Sequence, residues 1–376
     1  MVSLLDIFKE FFRLGLIGFG GPAAHAALIE TELVVRKKWL SRQQFLDYLG
    51  GVNLIPGPNS TQITMLVGYQ LRGFWGMILG GMGFIIPAAL ITGIIAIFYV
   101  QYEHLPAMEI VLNGIKPAIL VIIAGAIVKL GKKAIKSYQL ALLGVIVVVA
   151  TLAGLNEVLA IPGAGILGML YFMASNKTHQ GPLKSVFLPL LSIPLVGSSL
   201  VSYSAAKLFW VFFKIGAFLF GSGYVLVAYV NAELVEKLGW ITPGQLIDAI
   251  AIGQITPGPL ISSATFIGFL LDGFQGAAIA TLAIVLPSFL FIFILYPFIK
   301  KLRQSPVSAA FLDAVNVAAV GVMTSVFVIL GIEISTGWKP ALIMLLTSAA
   351  VWGPFRINTL WIIAGAALAG YLLSFV

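Results

Sequence analysis

The sequence contains no cysteine, which rules out disulfides, thiolate metal sites and cysteine nucleophiles. Charge is scarce: Asp, Glu, Lys and Arg make up only 10% of the residues. A soluble chain of this length needs far more polar surface to cover its core. Histidine is scarce too, and His25, His104 and His179 are scattered without any metal-ligand spacing. There is no nucleotide-binding P-loop, so direct drive by ATP on this chain is not expected. The apolar runs are continuous and do not alternate, which excludes a membrane β-barrel.

What is abundant is apolar. The chain is 60% hydrophobic, with a mean hydropathy of +1.05. Runs long enough to cross a hydrocarbon core recur, for example over 74–100 and 274–299. The expected class is an all-α polytopic membrane protein. The net charge of +8 is the usual excess of cytoplasmic Lys and Arg, and no nucleic-acid partner is expected. The N-terminal stretch carries Asp6 and Glu10 and has no cleavage site, so it reads as a retained amphipathic helix.

The chain writes one segment twice. FFRLGLIGFGGP (11–22) recurs as FFKIGAFLFGSG (212–223), and NLIPGPNSTQ (53–62) as QITPGPLISS (254–263). Between them Glu32 matches Glu233, Trp39 Trp240, Gln44 Gln245 and Asp47 Asp248; Gly73, Phe74 and Pro87 match Gly273, Phe274 and Pro287. A duplicated unit with Gly/Pro breaks inside apolar segments marks a transporter built from structural repeats. The expected divisions are a first repeat over 1–100, linking transmembrane helices over 101–204, a second repeat over 205–300 and C-terminal helices over 301–376.

Basic clusters at Arg36–Lys38 with Arg42, at Lys129–Lys136, at Lys177 with Lys184 and at Lys300–Arg303 are placed in the cytoplasm by the positive-inside bias. The loop over 101–109 has no Lys or Arg and is placed outside. Crossings are expected near 117–131, 138–154, 158–174, 185–201, 308–331, 340–354 and 357–375. The four that precede the second repeat return the chain to the outside, so the second copy runs inverted. Charge changes between the copies agree: Arg72 corresponds to Asp272, and Arg36–Lys38 to Lys237–Gly239. Residues 3–35 and 43–72 must each begin and end on one side, so each reads as a re-entrant hairpin of half-length helices, turning at Gly20–Pro22 and at Pro56–Pro58.

A helix that starts at mid-membrane offers free N–H groups and a partial positive charge, and so favours an anion. Behind Pro58 stand Asn59, Ser60, Thr61 and Gln62; behind Pro259 stand Leu260, Ile261, Ser262 and Ser263. Gly57 and Gly258 allow backbone to approach a ligand, and Asn53 and Gln254 are polar groups beside the same tips. Gly20, Gly21, Gly221 and Ser222 extend the candidate oxyanion site from the other two breaks. Arg13 and Lys214 match and keep their sign inside apolar runs; they either draw in an anion, pair with a carboxylate or snorkel to the surface. Glu32, Glu233, Asp47, Asp248 and His25 are candidate proton carriers, against a simpler reading as structural partners. No catalytic or metal-ligating constellation is found, and no cofactor is expected.

At these residues the sequence resembles the chromate ion transporter family. The resemblance rests on FGGPAAH (19–25), NLIPGPNSTQ, FGSGY (220–224) and QITPGPLISSATFIG (254–268), and covers nearly the whole chain. It implies chromate export by secondary transport coupled to protons, chromate resistance, and a place in the cytoplasmic membrane of a prokaryote, with sulfate as a chemical mimic. A homodimer is one assembly open to it. The alternatives are a sulfate-like oxyanion permease, an anion channel or, from another class, a membrane-embedded enzyme.

Overall fold

The computed structural model describes residues 2–375 apart from 54, 103–104, 176–202, 221–222, 299–304, 335–336 and 355–356. The expected crossing at 185–201, the basic positions Lys177, Lys184, Lys300, Lys301, Arg303 and Arg356, and the site candidates Gly221 and Ser222 lie outside the described residues. Those described are helical with short connections. Five helices are long and apolar enough to cross a membrane: 59–102, 108–134, 157–175, 260–295 and 306–332. The chain is a multi-pass membrane protein.

Each half begins with a short helix, α1 (Leu4–Ile17) and α8 (Ala205–Phe218). Ser3 and Ser204 cap them by accepting the N–H of Asp6 and Lys207. After a break come α2 (Gly21–Ile29) and α9 (Leu226–Val230), and each runs on into a π-helical segment, Glu30–Arg36 and Asn231–Lys237. Next are α3 (Arg42–Val52) and α10 (Pro243–Ile255). Both open with a capping box, Ser41 with Gln44 and Thr242 with Gln245. That is the local reason the two glutamines match between the copies.

The Pro-Gly-Pro bends follow, and then the long helices α4 (Asn59–Tyr102) and α11 (Ser263–Leu295). Neither is continuous. Arg72–Gly73 and Asp272–Gly273 leave helical geometry, with Gly73 at φ 62° and Gly273 at φ 52°, a turn that glycine makes without strain. Across each turn the chain folds back on itself: Gly68 lies against Gly76, and Gly268 against Gly276, too close for any side chain between them. Tyr48 donates to Gln70 (3.1 Å), so α3 and the first part of α4 also lie side by side. The turn residues tether the start of their own half. Arg72 donates to the Val2 carbonyl, and Asp272 accepts from the Tyr203 hydroxyl. Opposite charges do one job at matched positions.

Beyond this unit lie α5 (Pro106–Ala134), α6 (Tyr138–Leu152) and α7 (Glu157–Ser175), and in the second half α12 (Pro306–Ile334), α13 (Trp338–Trp352) and α14 (Thr359–Leu373). Helices α5 and α12 are both 29 residues long, and α6 and α13 both 15. Helix α5 starts eleven residues before the crossing expected at 117–131, because Pro106 suits a first helical position and Glu109 the first turn. Much of the loop expected over 101–109 is therefore helix. Helix α7 packs on α12, and α14 on α5. Leu142, Val145, Ile146 and Val149 on α6 are exposed apolar residues suited to lipid. The core lies between the broken helices of the two halves, around Phe11, Phe84, Phe212, Phe266 and Ile284.

Candidate functional site

The breaks of one half hold the bends of the other. The Gly57 N–H donates to the Leu219 carbonyl (2.6 Å), and the Gly258 N–H to the Gly18 carbonyl (2.7 Å). Leu219 and Gly18 are matched positions, as are Gly57 and Gly258, so the exchange is reciprocal. Both glycines have positive φ, 130° and 91°. A Cβ on Gly57 would overlap the Ser288 hydroxyl and the Gln62 amide, and one on Gly258 would stand 2.8 Å from the Ala88 Cβ. The close backbone approach expected at these glycines is thus made to the other half of the protein. Gly20 and Gly21 also take positive φ (99° and 79°).

Around this junction are polar side chains withdrawn from water. Thr61 Oγ1, Gln62 Oε1 and Ser263 Oγ are buried and have no hydrogen-bond partner among the described residues, and the Gln254 amide beside them meets the Tyr224 hydroxyl. An unmet buried polar group costs about 1–3 kcal/mol. These groups come from both halves and all flank the Pro-Gly-Pro bends. Gln62 also donates to the Pro56 carbonyl (2.6 Å), Ser262 meets Thr256 (3.4 Å), and Asn59 donates to Asn53 (2.7 Å). Asn53 is exposed, unlike its match Gln254. His25 is buried between the Ser60 hydroxyl (3.1 Å) and the Gly18 carbonyl (3.0 Å).

A cavity of about 20 Å³ lies where Gly20, Pro22, Tyr224, Gln254, Thr256 and Gly258 meet. That is room for about one water. A tetrahedral oxyanion would enter only if the interlocked bends and breaks moved apart.

The matched ions form two clusters of their own. Arg13 donates to Glu10 and Glu32 at 2.6 Å each, Arg36 to Glu32 at 2.6 Å, and Lys37 reaches Glu10 at 2.8 Å. In the second half Lys214 meets Glu233 at 2.6 Å and Lys237 meets it at 3.7 Å. Arg13 and Lys214 therefore pair with carboxylates, one of the roles open to them from sequence. Arg36 and Lys237 make the same contact with the same sign, so the charge difference expected at 36–38 is absent at this position. Both glutamates sit in the π-helical segments, whose wider turn is a recurrent feature of functional sites. The pair Asp47 and Asp248 splits: Asp47 is half-buried and accepts from Gln43 (3.2 Å), whereas Asp248 is buried, accepts from Tyr99 (2.8 Å) and has Lys116 at 3.7 Å.

Sequence reasoning missed Glu10, Lys116, Tyr99 and Glu157. Glu10 stands three residues before Arg13, a spacing that pairs on a helix. Lys116 is a cation inside an apolar helix, a signal in itself. Glu157 is 5% exposed at the start of α7, near Glu233 and Glu236; only tertiary packing reveals it.

The chromate transporter family profile matches residues 5–169 and 206–371. Each match takes in a broken-helix unit and the three helices that follow it. A chromate transport protein of Cupriavidus metallidurans is 32% identical over 98% of this chain and 92% of its own length. A probable chromate transport protein of Synechococcus elongatus is 33% identical over 98% and 95%. A chromate transport protein of Pseudomonas aeruginosa is 26% identical over 99% and 93%. No solved structure matches the chain.

Proposed function

The chain belongs to the chromate transporter family, and from that premise we propose that it exports chromate across the cytoplasmic membrane of a prokaryote by proton-coupled secondary transport, conferring resistance. The observation that carries the site is the reciprocal bonding of bend into break, Gly57 to Leu219 and Gly258 to Gly18, with unmet buried polar groups on both sides of it. Thr61, Gln254 and Ser263, whose side chains can donate, are the residues assigned to the oxyanion; the unmet Gln62 oxygen only accepts, and Gln62 serves to brace the bend through its bond to Pro56. Ser60, Ser262 and the helix starts behind Pro58 and Pro259 complete the set of donors. Neutral donors at helix N-termini suit a doubly charged oxyanion, because they stabilise it without a fixed ion pair that would hold it in place.

On this reading 3–35 and 43–72, and their counterparts in the second half, are re-entrant hairpins, and the two halves are inverted. The sign change from Arg72 to Asp272, two residues with one structural job, supports the inversion. Transport then proceeds by parting the interlock on one side at a time. The ionic clusters at Glu32 and Glu233 hold the two hairpin ends while this happens.

The test is chromate flux into proteoliposomes holding the purified protein. An imposed pH gradient is expected to drive chromate against its own gradient. Flux that follows the chromate gradient alone, whatever the pH difference, would overturn the coupled mechanism in favour of a channel.

A further inference from the structure

We infer that His25 is a proton-binding residue of the oxyanion site, and that the proton and the oxyanion strengthen each other's binding through Ser60. The inference rests on the reading of the Pro-Gly-Pro bends as the oxyanion site. His25 is buried on α2, edge-on to Phe84 at 5.4 Å. Its Nε2 is 3.0 Å from the Gly18 carbonyl and its Nδ1 3.1 Å from the Ser60 hydroxyl. A carbonyl only accepts, so Nε2 must carry the hydrogen. In the neutral ring Nδ1 is then an acceptor, and Ser60 must spend its single hydroxyl hydrogen on the imidazole.

Protonation reverses that bond. Nδ1 gains a hydrogen and donates to Ser60 Oγ, and the serine hydrogen is released from the imidazole and free for an acceptor at the start of α4. A buried positive charge appears at the same time. Both changes favour an anion at the start of α4. By linkage, a bound oxyanion must tighten proton binding at His25 by the same factor.

The charged groups on the surrounding elements are engaged elsewhere. On α1, Asp6 is held by Ser3 with Lys9 nearby, and Glu10 and Arg13 belong to the cluster with Glu32. Glu30, beyond α2, pairs with Arg42, Arg72 on α4 with the Val2 carbonyl, and Asp248 on α10 with Tyr99. Among the described residues none of them touches the imidazole. The second half has no such device, since Leu226 stands in place of His25 and Ile261 in place of Ser60. Both partners are replaced together, so the protein carries the pair once. The Gly18 carbonyl that holds Nε2 also accepts the Gly258 N–H. The imidazole therefore touches the bond that joins the two halves. The sign matters for transport: a proton at His25 moves with the oxyanion, and exchange of protons against chromate needs a different carrier.

The test is chromate binding to the full-length protein in detergent, measured by calorimetry between pH 5.5 and 8 in two buffers of different ionisation enthalpy, for the wild type, His25→Gln, Ser60→Ala and Thr61→Ala. Glutamine keeps a donor for Gly18 and an acceptor for Ser60 and cannot take up the proton. Chromate's own protonation is common to all four proteins and cancels in the comparison. The expected result is net proton uptake on binding by the wild type, beyond that of His25→Gln. Wild-type affinity should fall by about tenfold relative to His25→Gln from the acid to the alkaline end. Ser60→Ala should keep part of that dependence. Equal proton uptake in the wild type and a monodisperse His25→Gln would overturn the role of His25 alone, provided Thr61→Ala weakens binding. Unweakened binding in Thr61→Ala and in a matching Ser263→Ala would remove the site itself. Proton release by the wild type relative to His25→Gln would reverse the proposed sign.

Discussion

Glu32 in the first half is gripped by two cations at 2.6 Å each, whereas Glu233 in the second has one at 2.6 Å and another only at 3.7 Å. The stronger set is the more exposed: the Arg13 side chain is 46% exposed and Lys214 18%. The backbones around them do not differ in this way. Both halves have the capping serine, the break, the π-helical segment, the capping box, the positive-φ glycine and the bond into the other half's break. The duplicated frame has been kept down to single hydrogen bonds while the side chains on it have diverged. The side chains differ beside the bends, where the first half has His25 and Ser60 and the second has Leu226 and Ile261 at the matched positions. The unmatched side chains are where the two halves stop being equivalent.

The largest expected effect comes from breaking the shared frame itself. Gly57→Ala and Gly258→Ala each force a side chain into left-handed backbone, at about 1–2 kcal/mol, and into atoms of the opposite half. Chromate flux in proteoliposomes should fall below about 1% of wild type in both, a loss of about 2.7 kcal/mol of transition-state stabilisation. Gly57→Ala should be the worse, because it meets a hydroxyl and an amide where Gly258→Ala meets one methyl. Wild-type flux in either variant at equal protein amount would show that the bend-in-break bond is dispensable.

The ionic clusters should separate next. Removing Lys214 leaves a buried carboxylate with only the longer contact to Lys237, so Lys214→Gln should destabilise by about 3 kcal/mol. Arg13→Gln leaves Glu32 still bonded to Arg36 and removes a half-exposed cation, so about 1 kcal/mol is expected after solvent screening. Thermal midpoints in detergent report the difference. Equal losses would mean that the two clusters are interchangeable despite their geometry.

Smaller effects are expected at the unmet polar groups. Thr61→Ala and Ser263→Ala each remove one donor and should weaken oxyanion binding by about 1 kcal/mol, or roughly fivefold. The comparison is sharpened if both do so. A loss confined to Thr61→Ala would place the oxyanion on the first half alone.

Much of this was legible in the sequence, for reasons that also explain the remainder. Gly and Pro at 20–22, 56–58 and 257–259 mark breaks because backbone chemistry allows few residues there, so identity survives duplication. The repetition of α5–α6 in α12–α13 was missed because lipid-facing and core positions accept any of several apolar residues. Helix length and the prolines at 106 and 306 carry that part of the repeat. The bonds from Gly57 to Leu219 and from Gly258 to Gly18 were out of reach, since they join backbone groups and leave no mark on side-chain identity. Arg13 and Lys214 were found as matched cations, but their partner Glu10 has no match in the second half, where Val211 stands, and so the repeat did not point to it.

The smallest energetic effect belongs to the two turn residues, and it offers the sharpest test of how the halves are oriented. Arg72 is exposed and Asp272 partly so, and each makes a single tether to the start of its own half. Replacing either should cost only about 0.5 kcal/mol, as expected for surface positions. The chain has no cysteine, so Arg72→Cys and Asp272→Cys each give a protein with one thiol and no background. In intact cells a membrane-impermeant maleimide should label Asp272→Cys from outside and leave Arg72→Cys unlabelled until the cells are opened. Positive charge favours the cytoplasmic side for residue 72 and its absence frees residue 272 from it. The tethers are equivalent, so a difference in labelling between matched positions reports membrane side and not local structure. Labelling of both variants from the same side would make the repeats parallel. The four crossings expected between the repeats, of which 185–201 is the last, would then have to be an odd number.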